Sequence, residues 1–428
     1  MKRNSIAFLR PLAALLLIPV LILGGSITAQ DEPIVIDWVN DAAWHEAGQD
    51  AVSEASLSQT GIGINSVMFS STDSYQAAVR GALPTNDAFP LFDWWFGYRM
   101  KDLVDAGLLA DVTDIWQRHI DNGEYPASMM GSFGFDERAY GLPKMINYWV
   151  VFYNAHIFAE YDLEVPTTWD ELMAVAETLK SNDVTPFGLD VVGCRWCSFI
   201  WFEEMMVRAD PALYQSLMTG ETAYNDPQVV AIMEQWRDLL DAGYFSQPGD
   251  FAELDGAAEE FVNGSFGMFL IGDWFTAALE RAGFVVGDDY GVFVMPGITE
   301  AGNRSLIIEG RPVLIAENSP QRDDALEFAD FFMSVEGQTV WAETSDINSP
   351  NLLAPEETRP GHLVDLANAV ANGEYELYTR YWEATPPQIV EQVVDLLGQF
   401  VIDPAALQTT LDGAEQIAQN YWASAGSE

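Results

Sequence analysis

Basic residues are scarce in this chain. There are 19 Lys and Arg residues against 65 Asp and Glu, which gives a formal net charge of −46 over 428 residues. A surface of this sign repels nucleic-acid phosphates and anionic lipid headgroups, so no nucleic-acid partner is expected. The simplest interpretation of the acidity is solubility, and attraction of a cationic ligand is the sharper alternative.

Cysteine and histidine are also rare. The two cysteines, Cys194 and Cys197, lie in the stretch GCRWCSF. In an exported protein they are candidates for a disulfide, and free thiols or a redox or metal site are the alternatives. A metal site would need more ligands than this stretch supplies, and no metal or cofactor is expected because the histidines are scattered: His45, His119, His156 and His362.

The sequence lacks the common catalytic motifs. It has no G-x-x-x-x-G-K-[ST] phosphate loop, no complete dinucleotide fingerprint, no H-E-x-x-H zinc helix and no G-x-S-x-G nucleophile turn. Among 65 carboxylates, a pair at glycosidase distance arises by chance. We therefore expect a protein that is not an enzyme, and keep a secreted carbohydrate-active enzyme as the alternative.

Only one long apolar run is present, at the start of the chain. PLAALLLIPVLIL follows the cationic segment MKRNSIAFLR and precedes the small residues GGSITAQ, which is the pattern of a secretory signal peptide. The run is shorter than the roughly 20 residues of a membrane-spanning helix. We expect cleavage after Ala29 and a periplasmic or extracellular location. No cysteine lies near that point, so no lipid anchor is expected.

Strand and helix patterns alternate along the rest of the chain, which predicts an α/β fold. The clearest helix spans 166–180, with Thr168 and Glu171 as a capping box. A second spans 319–333, with Ser319 as its cap. Strands are predicted at 33–39, 63–70, 88–92, 290–297 and 311–317, and a strand-to-helix unit at 266–283.

The segment LFDWWFGY (91–98) is unusually aromatic, with five aromatic side chains in eight residues. It continues directly from a predicted strand, and Asp93 is suited to N-cap a following helix in which Phe96 faces the core. Trp94 then lies at the carboxyl end of a strand. In open α/β sheets this edge is where ligands bind.

The stretch YGLPKMINYWVVFYNAHIFAEYDLEVPTTWDELMAVAETLK (140–180) resembles the extracellular solute-binding proteins of ABC importers, specifically the sugar-binding, maltose-binding-protein-like group. EEFVNGSFGMFLIGDWF and NSPQRDDALEFADFFMSVEGQ are similar to two further motifs of that family, in the same order. The residues matching the first motif are Tyr140, Gly141, Pro143, Tyr153, Asn154, Phe158, Pro166, Thr168, Trp169, Asp170 and Glu171.

This resemblance implies a two-lobed periplasmic-binding-protein fold of the type II-like class, with α/β lobes joined by three hinge crossovers. By motif, 1–29 is the signal peptide, 30–142 plus 288–344 form the first lobe, and 143–287 plus 345–428 form the second. The implied function is to bind a mono- or oligosaccharide in the cleft and deliver it to the membrane permease subunits. A monomer is expected. A receptor for a cationic solute such as a polyamine or betaine is the alternative on the same fold.

A sugar site needs aromatic rings for the C–H faces and charged or amide groups for the hydroxyls. On this logic the candidate ligand-binding residues are Trp44, Asp93, Trp94, Trp95, Asn147, Tyr148, Trp196, Asp273, Trp274, Glu309 and Arg311.

Several candidates also have a purely structural interpretation. Asp93 and Asp273 could each be the N-cap of a helix. Trp44 and Trp196 could each belong to the core of a lobe, and Arg311 could form an ion pair with Glu309. Lys144 departs from the polar or apolar residue expected in the Y-G-x-P-x turn, which could alter the ligand.

Overall fold

The computed structural model describes residues 33–41, 45–69, 71–251, 253–345, 347, 349–356 and 361–425. The predicted signal peptide lies outside the described residues. The strands are β1 (Ile34–Asn40), β2 (Ile62–Met68), β3 (Leu91–Asp93), β4 (Gly134–Phe135), β5 (Arg138–Ala139), β6 (Gly141–Leu142), β7 (Ile146–Asn154), β8 (Thr185–Gly188), β9 (Phe266–Gly272), β10 (Tyr290–Phe293), β11 (Ser305–Gly310), β12 (Val313–Ile315) and β13 (Glu376–Thr379).

Helices are interleaved with these strands, as the alternating pattern predicts. They are α1 (Glu46–Thr60), α2 (Thr72–Ala82), α3 (Tyr98–Asp105), α4 (Thr113–Asp121), α5 (Ala127–Met130), α6 (Ala155–Glu160), α7 (Trp169–Ser181), α8 (Ile200–Ala209), α9 (Pro211–Met218), α10 (Pro227–Asp241), α11 (Glu253–Val262), α12 (Thr276–Arg281), α13 (Arg322–Met333), α14 (Val335–Ser345), α15 (Val364–Ala371), α16 (Tyr381–Ala384), α17 (Pro387–Ile402) and α18 (Leu407–Ala425). Short 3₁₀ turns at Arg195–Phe199 and Asp273–Phe275 precede α8 and α12.

The strands form two main sheets. The first has the order β2-β1-β3-β12-β6, with β1 parallel to β2 and β3, and β12 antiparallel to its neighbours. The second has the order β13-β11-β7-β9-β8, and β10 pairs with the distal end of β7. β9 is buried along its whole length, as a central strand covered on both faces should be.

Three chain connections join the two sheets, as predicted. Residues 143–145 lead from β6 to β7, and residues 311–312 lead from β11 to β12. The third runs from α14 to α15, partly through residues outside the described set.

The predicted lobe boundary at 288 needs correction. Strands β10 and β11 pair with β7 in the second sheet, so 290–310 belongs with that sheet and the crossing lies at 311–312. The apolar pattern of these strands fits either lobe. Their pairing decides: Tyr290 of β10 pairs with Asn154, and Glu309 of β11 pairs with Asn147, both on β7. The remainder of the lobe division stays a prediction.

Local signals vary in accuracy. The capping box at Thr168 forms with both of its hydrogen bonds and begins α7 as predicted. The helix predicted from Ser319 begins at Arg322 instead. Asp93 does not cap a helix, because residues 94–96 have no regular secondary structure and α3 begins only after Gly97. The φ of 63° at Gly97 and its contact with the Glu383 carbonyl leave no room for a Cβ. Within the described residues, no helix is long and apolar enough to span a bilayer.

Candidate functional site

Asp93 and Trp94 lie in the interior beside the first sheet, which corrects the expectation that they face a ligand. Asp93 is fully buried, and its carboxylate accepts a hydrogen bond from the indole N–H of Trp38 at 2.9 Å. Trp94 is 1% exposed, and its indole N–H donates to the Arg99 carbonyl at 2.9 Å. Strand β3 lies between β1 and β12, so the side chains at its end are covered from both sides.

A buried ionic cluster surrounds Asp93 at the first and second crossovers. Lys144 donates to Asp93 and lies 2.8 Å from His45 Nδ1, while Arg311 pairs with Asp41 and approaches Asp93 at 3.7 Å. Burial lowers the pKa of Lys144 to about 8, although Asp93 opposes this. Burial, reinforced by Lys144 and Arg311, lowers the pKa of His45, so its ring is neutral. The unusual Lys144 therefore has a structural partner, and Arg311 pairs with Asp41, not Glu309.

Trp95 remains partly exposed next to this cluster. The Arg311 guanidinium lies 5.3 Å from its ring centre, and the Trp94 ring packs edge-on against it at 5.3 Å. Of the aromatic side chains in this segment, Trp95 and Tyr98 are the two that are partly exposed. Phe96, by contrast, is buried as predicted.

On the second sheet, Asp273 organises the start of β7. Its carboxylate accepts hydrogen bonds from the Asn147 amide at 2.5 Å and from the Tyr148 backbone N–H at 3.0 Å. Burial raises the pKa of Asp273 to about 7, against the effect of these hydrogen bonds. Asp273, Asn147 and Tyr148 are thus in contact with one another, and all three are at most 7% exposed. That they contact a ligand stays a prediction.

Trp196 and Trp274 come together above β7. Their rings are 6.2 Å apart, and Trp196 packs edge-on against the buried Trp149 at 6.4 Å. Both are partly exposed, whereas Trp149 is fully buried. Trp196 thus packs against the core while remaining partly exposed, so its lobe-core and ligand-facing interpretations both stay open.

Glu309 lies at the end of β11 and pairs with Arg380, a residue that the sequence did not indicate. Arg380 also pairs with the buried Glu383, and its guanidinium lies 5.4 Å from the Trp149 ring centre. Burial raises the pKa of Glu309, with Arg380 opposing the shift. Burial works against the charge of Arg380, but Glu309 and Glu383 raise its pKa above the usual value.

Two further residues missed from the sequence connect the two sides. Arg99, on α3 beside the first sheet, lies 4.4 Å from the Trp382 ring centre and 2.7 Å from the Glu391 carboxylate, both on the second-sheet side. Trp382 stacks on Phe199 at 5.7 Å, and Phe199 lies 6.2 Å from Trp196. Aromatic residues in TRYWEA (379–384) were the available signal, but this tail carried no matched motif.

These contacts define one candidate site, which we call the tryptophan cleft. Its partly exposed rings are Trp95 from the first-sheet side and Trp196, Trp274 and Trp382 from the second. Of the tryptophans in the described residues, the only other partly exposed ones are Trp169 and Trp422. Trp44 lies outside the described residues.

The cations near the cleft are all paired. Arg99, Arg311, Arg380 and Lys144 each pair with at least one carboxylate. The carboxylates outnumber them and belong to Asp41, Asp93, Asp273, Glu309, Glu383 and Glu391. These contacts hold donors and acceptors in fixed positions beside the partly exposed tryptophans. No metal-binding cluster of His, Cys, Asp and Glu exists within the described residues.

Cys194 and Cys197 are joined by a disulfide in the structure, the first of the three interpretations of this pair. Both cysteines are buried, at 6% and 4% exposure. The bond closes the turn that carries Trp196.

Comparison with known proteins agrees with this architecture. Residues 39–339 match the model of the family described as bacterial extracellular solute-binding protein. An uncharacterized ABC transporter extracellular-binding protein from Pyrococcus horikoshii, PH1214, is 28% identical over 264 residues, covering 60% of this chain and 57% of the relative. The diacetylchitobiose-binding protein DasA from Streptomyces coelicolor is 26% identical over 274 residues, covering 63% and 62%.

These alignments span less than two thirds of the curated relatives' length. A solved structure of the bacterial solute receptor AcbH, described as preferring β-D-galactopyranose, superposes with a TM-score of 0.77 at 20% identity, covering 91% of this chain and 99% of that one. At this identity the similarity shows the fold, and it confirms the two-lobed α/β fold of periplasmic binding proteins.

Proposed function

Because the chain belongs to the bacterial extracellular solute-binding protein family, we propose that it is the substrate-binding component of an ABC importer and binds a neutral mono- or oligosaccharide in the tryptophan cleft. The observation that carries the proposal is the gathering of partly exposed Trp95, Trp196, Trp274 and Trp382 from both sides of the cleft beside paired charges. DasA and AcbH, whose descriptions name sugar ligands, add support.

The mechanism follows from the placement of these rings. A ligand that contacts Trp95 on one side and Trp274 on the other reaches its full contact area only when the two sides approach. Ligand binding then favours the closed arrangement by its differential affinity for that state. The permease can recognise the closed shape, so binding becomes a transport signal without chemistry on the ligand.

Export follows from the same proposal. The N-terminal segment directs secretion and is cleaved after Ala29, and the mature protein acts outside the cytoplasmic membrane as a monomer, with no nucleic-acid partner. Sequencing the N-terminus of the secreted protein tests the cleavage: a chain that retains the first 29 residues contradicts it.

A thermal-shift screen over mono- and oligosaccharides, polyamines and betaines tests the ligand class. We expect one or more neutral sugars to raise the melting temperature and to be recovered intact. Stabilisation by polyamines or betaines alone would favour a receptor for a cationic solute. Release of shorter sugars would favour a carbohydrate-active enzyme.

A further inference from the structure

Trp196 lies within the short covalent ring that the Cys194–Cys197 disulfide closes. The Cys194–Cys197 disulfide encloses only Arg195 and Trp196 between its two cysteines. The indole of Trp196 extends from this ring to within 6.2 Å of the Trp274 ring centre. Trp196, which we propose stacks on the ligand, is thus directly followed in the chain by one of the two bonded cysteines, Cys197.

The chain on the amino-terminal side of the ring is held mainly through its backbone. The buried Asp190 carboxylate accepts hydrogen bonds from the backbone N–H groups of Val192, Gly193 and Gly249, at 2.8 to 2.9 Å. Val192 itself is 63% exposed. This loop therefore fixes where the ring starts but offers little side-chain packing against it.

The ring and its carboxyl-terminal side are attached to α17. The Arg195 guanidinium pairs with Asp395 at 2.6 Å and Glu391 at 3.3 Å, and the Ser198 hydroxyl donates to the Val394 carbonyl at 2.8 Å. These contacts anchor the residues on each side of Trp196 in the chain. The orientation of the Trp196 indole still depends on the conformation of the turn, and the disulfide constrains that turn.

The length of the ring indicates what the disulfide does. A disulfide stabilises a fold more when it closes a longer loop, and this one joins residues only three apart. Its constraint therefore acts mainly on the local turn and not on the unfolded chain as a whole. Because both cysteines are at most 6% exposed, the bond is also shielded from solvent.

We propose that the Cys194–Cys197 disulfide is a positioning element that holds Trp196 against Trp274 and Trp149 as a ready-made stacking face. The proposal rests on the function assigned to the tryptophan cleft. Losing the bond leaves the fold intact but lets the Trp196 ring sample other orientations, so that ligand binding must first order it.

A double-mutant cycle tests this coupling. The variant C194A/C197A is made in the wild-type background and in a Trp196→Ala background, and the affinity for the stabilising sugar is measured in each. We expect the disulfide variant to lower the affinity about two- to tenfold in the wild-type background, the size of losing the pre-ordering of one large side chain. In the Trp196→Ala background the same change should have no effect.

Two outcomes overturn the proposal: an unchanged affinity on removing the disulfide, or an equal loss in both backgrounds. A second pair, C194V/C197A, fills the buried space differently and replaces the first if that variant does not fold.

The near-ultraviolet circular dichroism of ligand-free protein gives a readout that needs no sugar. We expect the long-wavelength tryptophan bands, which the disulfide's own absorption does not reach, to change on removing the disulfide only when Trp196 is present. Identical tryptophan bands with and without the disulfide would contradict the inference. If no sugar binds the wild type while the spectrum changes as expected, the proposed function fails and the positioning role stands.

Discussion

Arg99 offers the most direct test of how the two sides of the cleft are coupled. Its guanidinium contacts Trp382 at 4.4 Å and Glu391 at 2.7 Å, and its side chain is 11% exposed. A partly desolvated cation–π contact is worth roughly 1–2 kcal/mol. An ion pair whose carboxylate is 44% exposed adds only about 0.2–0.5 kcal/mol after solvent screening.

Removing these contacts should shift the balance between open and closed states. The sum of about 1–2.5 kcal/mol corresponds to a roughly 5- to 70-fold change in the equilibrium constant. Because a ligand binds tightly only to the closed arrangement, Arg99→Ala should weaken the apparent affinity by up to that factor. The radius of gyration of the ligand-free protein should increase.

Calorimetric affinity and small-angle scattering measure the two effects on the same samples. Lys101→Ala is the matched control, because Lys101 lies on the same helix but pairs at 2.7 Å with Asp105 one turn away. It should leave both quantities unchanged. An Arg99→Ala variant with unchanged affinity and radius would refute the reasoning. Weaker binding at an unchanged radius would instead identify Arg99 as a direct ligand contact.

The remaining predictions concern the rings and buried charges. Trp274→Ala should weaken the binding free energy for sugar by roughly 1–3 kcal/mol, as for aromatic stacking on planar ligands, and should change the melting temperature less. Trp169→Ala, which lies outside the tryptophan cleft, is the control and should leave the calorimetric affinity unchanged. The pKa of Asp273 is raised from 3.8 to about 7 by folding, so the native state binds the extra proton between these values. The contribution of Asp273 to the free energy of unfolding should therefore rise as pH falls from 7 toward 4. Asp273→Asn should flatten that slope in urea unfolding by up to about 1.4 kcal/mol per pH unit, and an unaltered slope would count against it. Lys144→Met should lower the free energy of unfolding by about 3–5 kcal/mol, because it leaves Asp93 buried without its closest cation. Adding Asp93→Asn should recover part of this loss. A Lys144→Met variant as stable as the wild type would contradict the ion-pair account.

Local signals predicted the elements whose determinants lie close together in sequence. Thr168 and Glu171 are three residues apart, and the capping box that they form begins α7 where expected. Asp273, Asn147 and Tyr148 were each predicted to face the ligand, but their contact with one another was not predicted. It follows from the pairing of β9 with β7 in the second sheet.

Burial at the end of β3 was not predictable in the same way. Asp93 receives its hydrogen bonds from Trp38 and Lys144, which lie 55 and 51 residues away. Those partners become adjacent only when β3 is inserted between β1 and β12. A strand-end aspartate and tryptophan look the same in sequence whether they face a cleft or a covered hinge.

The same separation hid the residues that complete the site. Arg380 pairs with Glu309 across 71 residues, and Arg99 reaches Glu391 across 292. Neither pair has a local pattern, since the contacts depend on how α3, α16 and α17 pack. The acidic composition also gave no indication that Arg99 would lie against Trp382, or Arg311 against Trp95.

Isothermal titration calorimetry with recovery of the ligand is the most direct test of the central claim. Purified protein is titrated with the sugar that raises its melting temperature most, and the ligand is then released and weighed by mass spectrometry. We predict saturable binding of one neutral sugar per chain, recovered with its mass unchanged, and weakened by Trp274→Ala. Failure of every neutral sugar to bind, or recovery of cleaved sugar, would contradict the assignment of this protein as a carbohydrate-binding component of an importer.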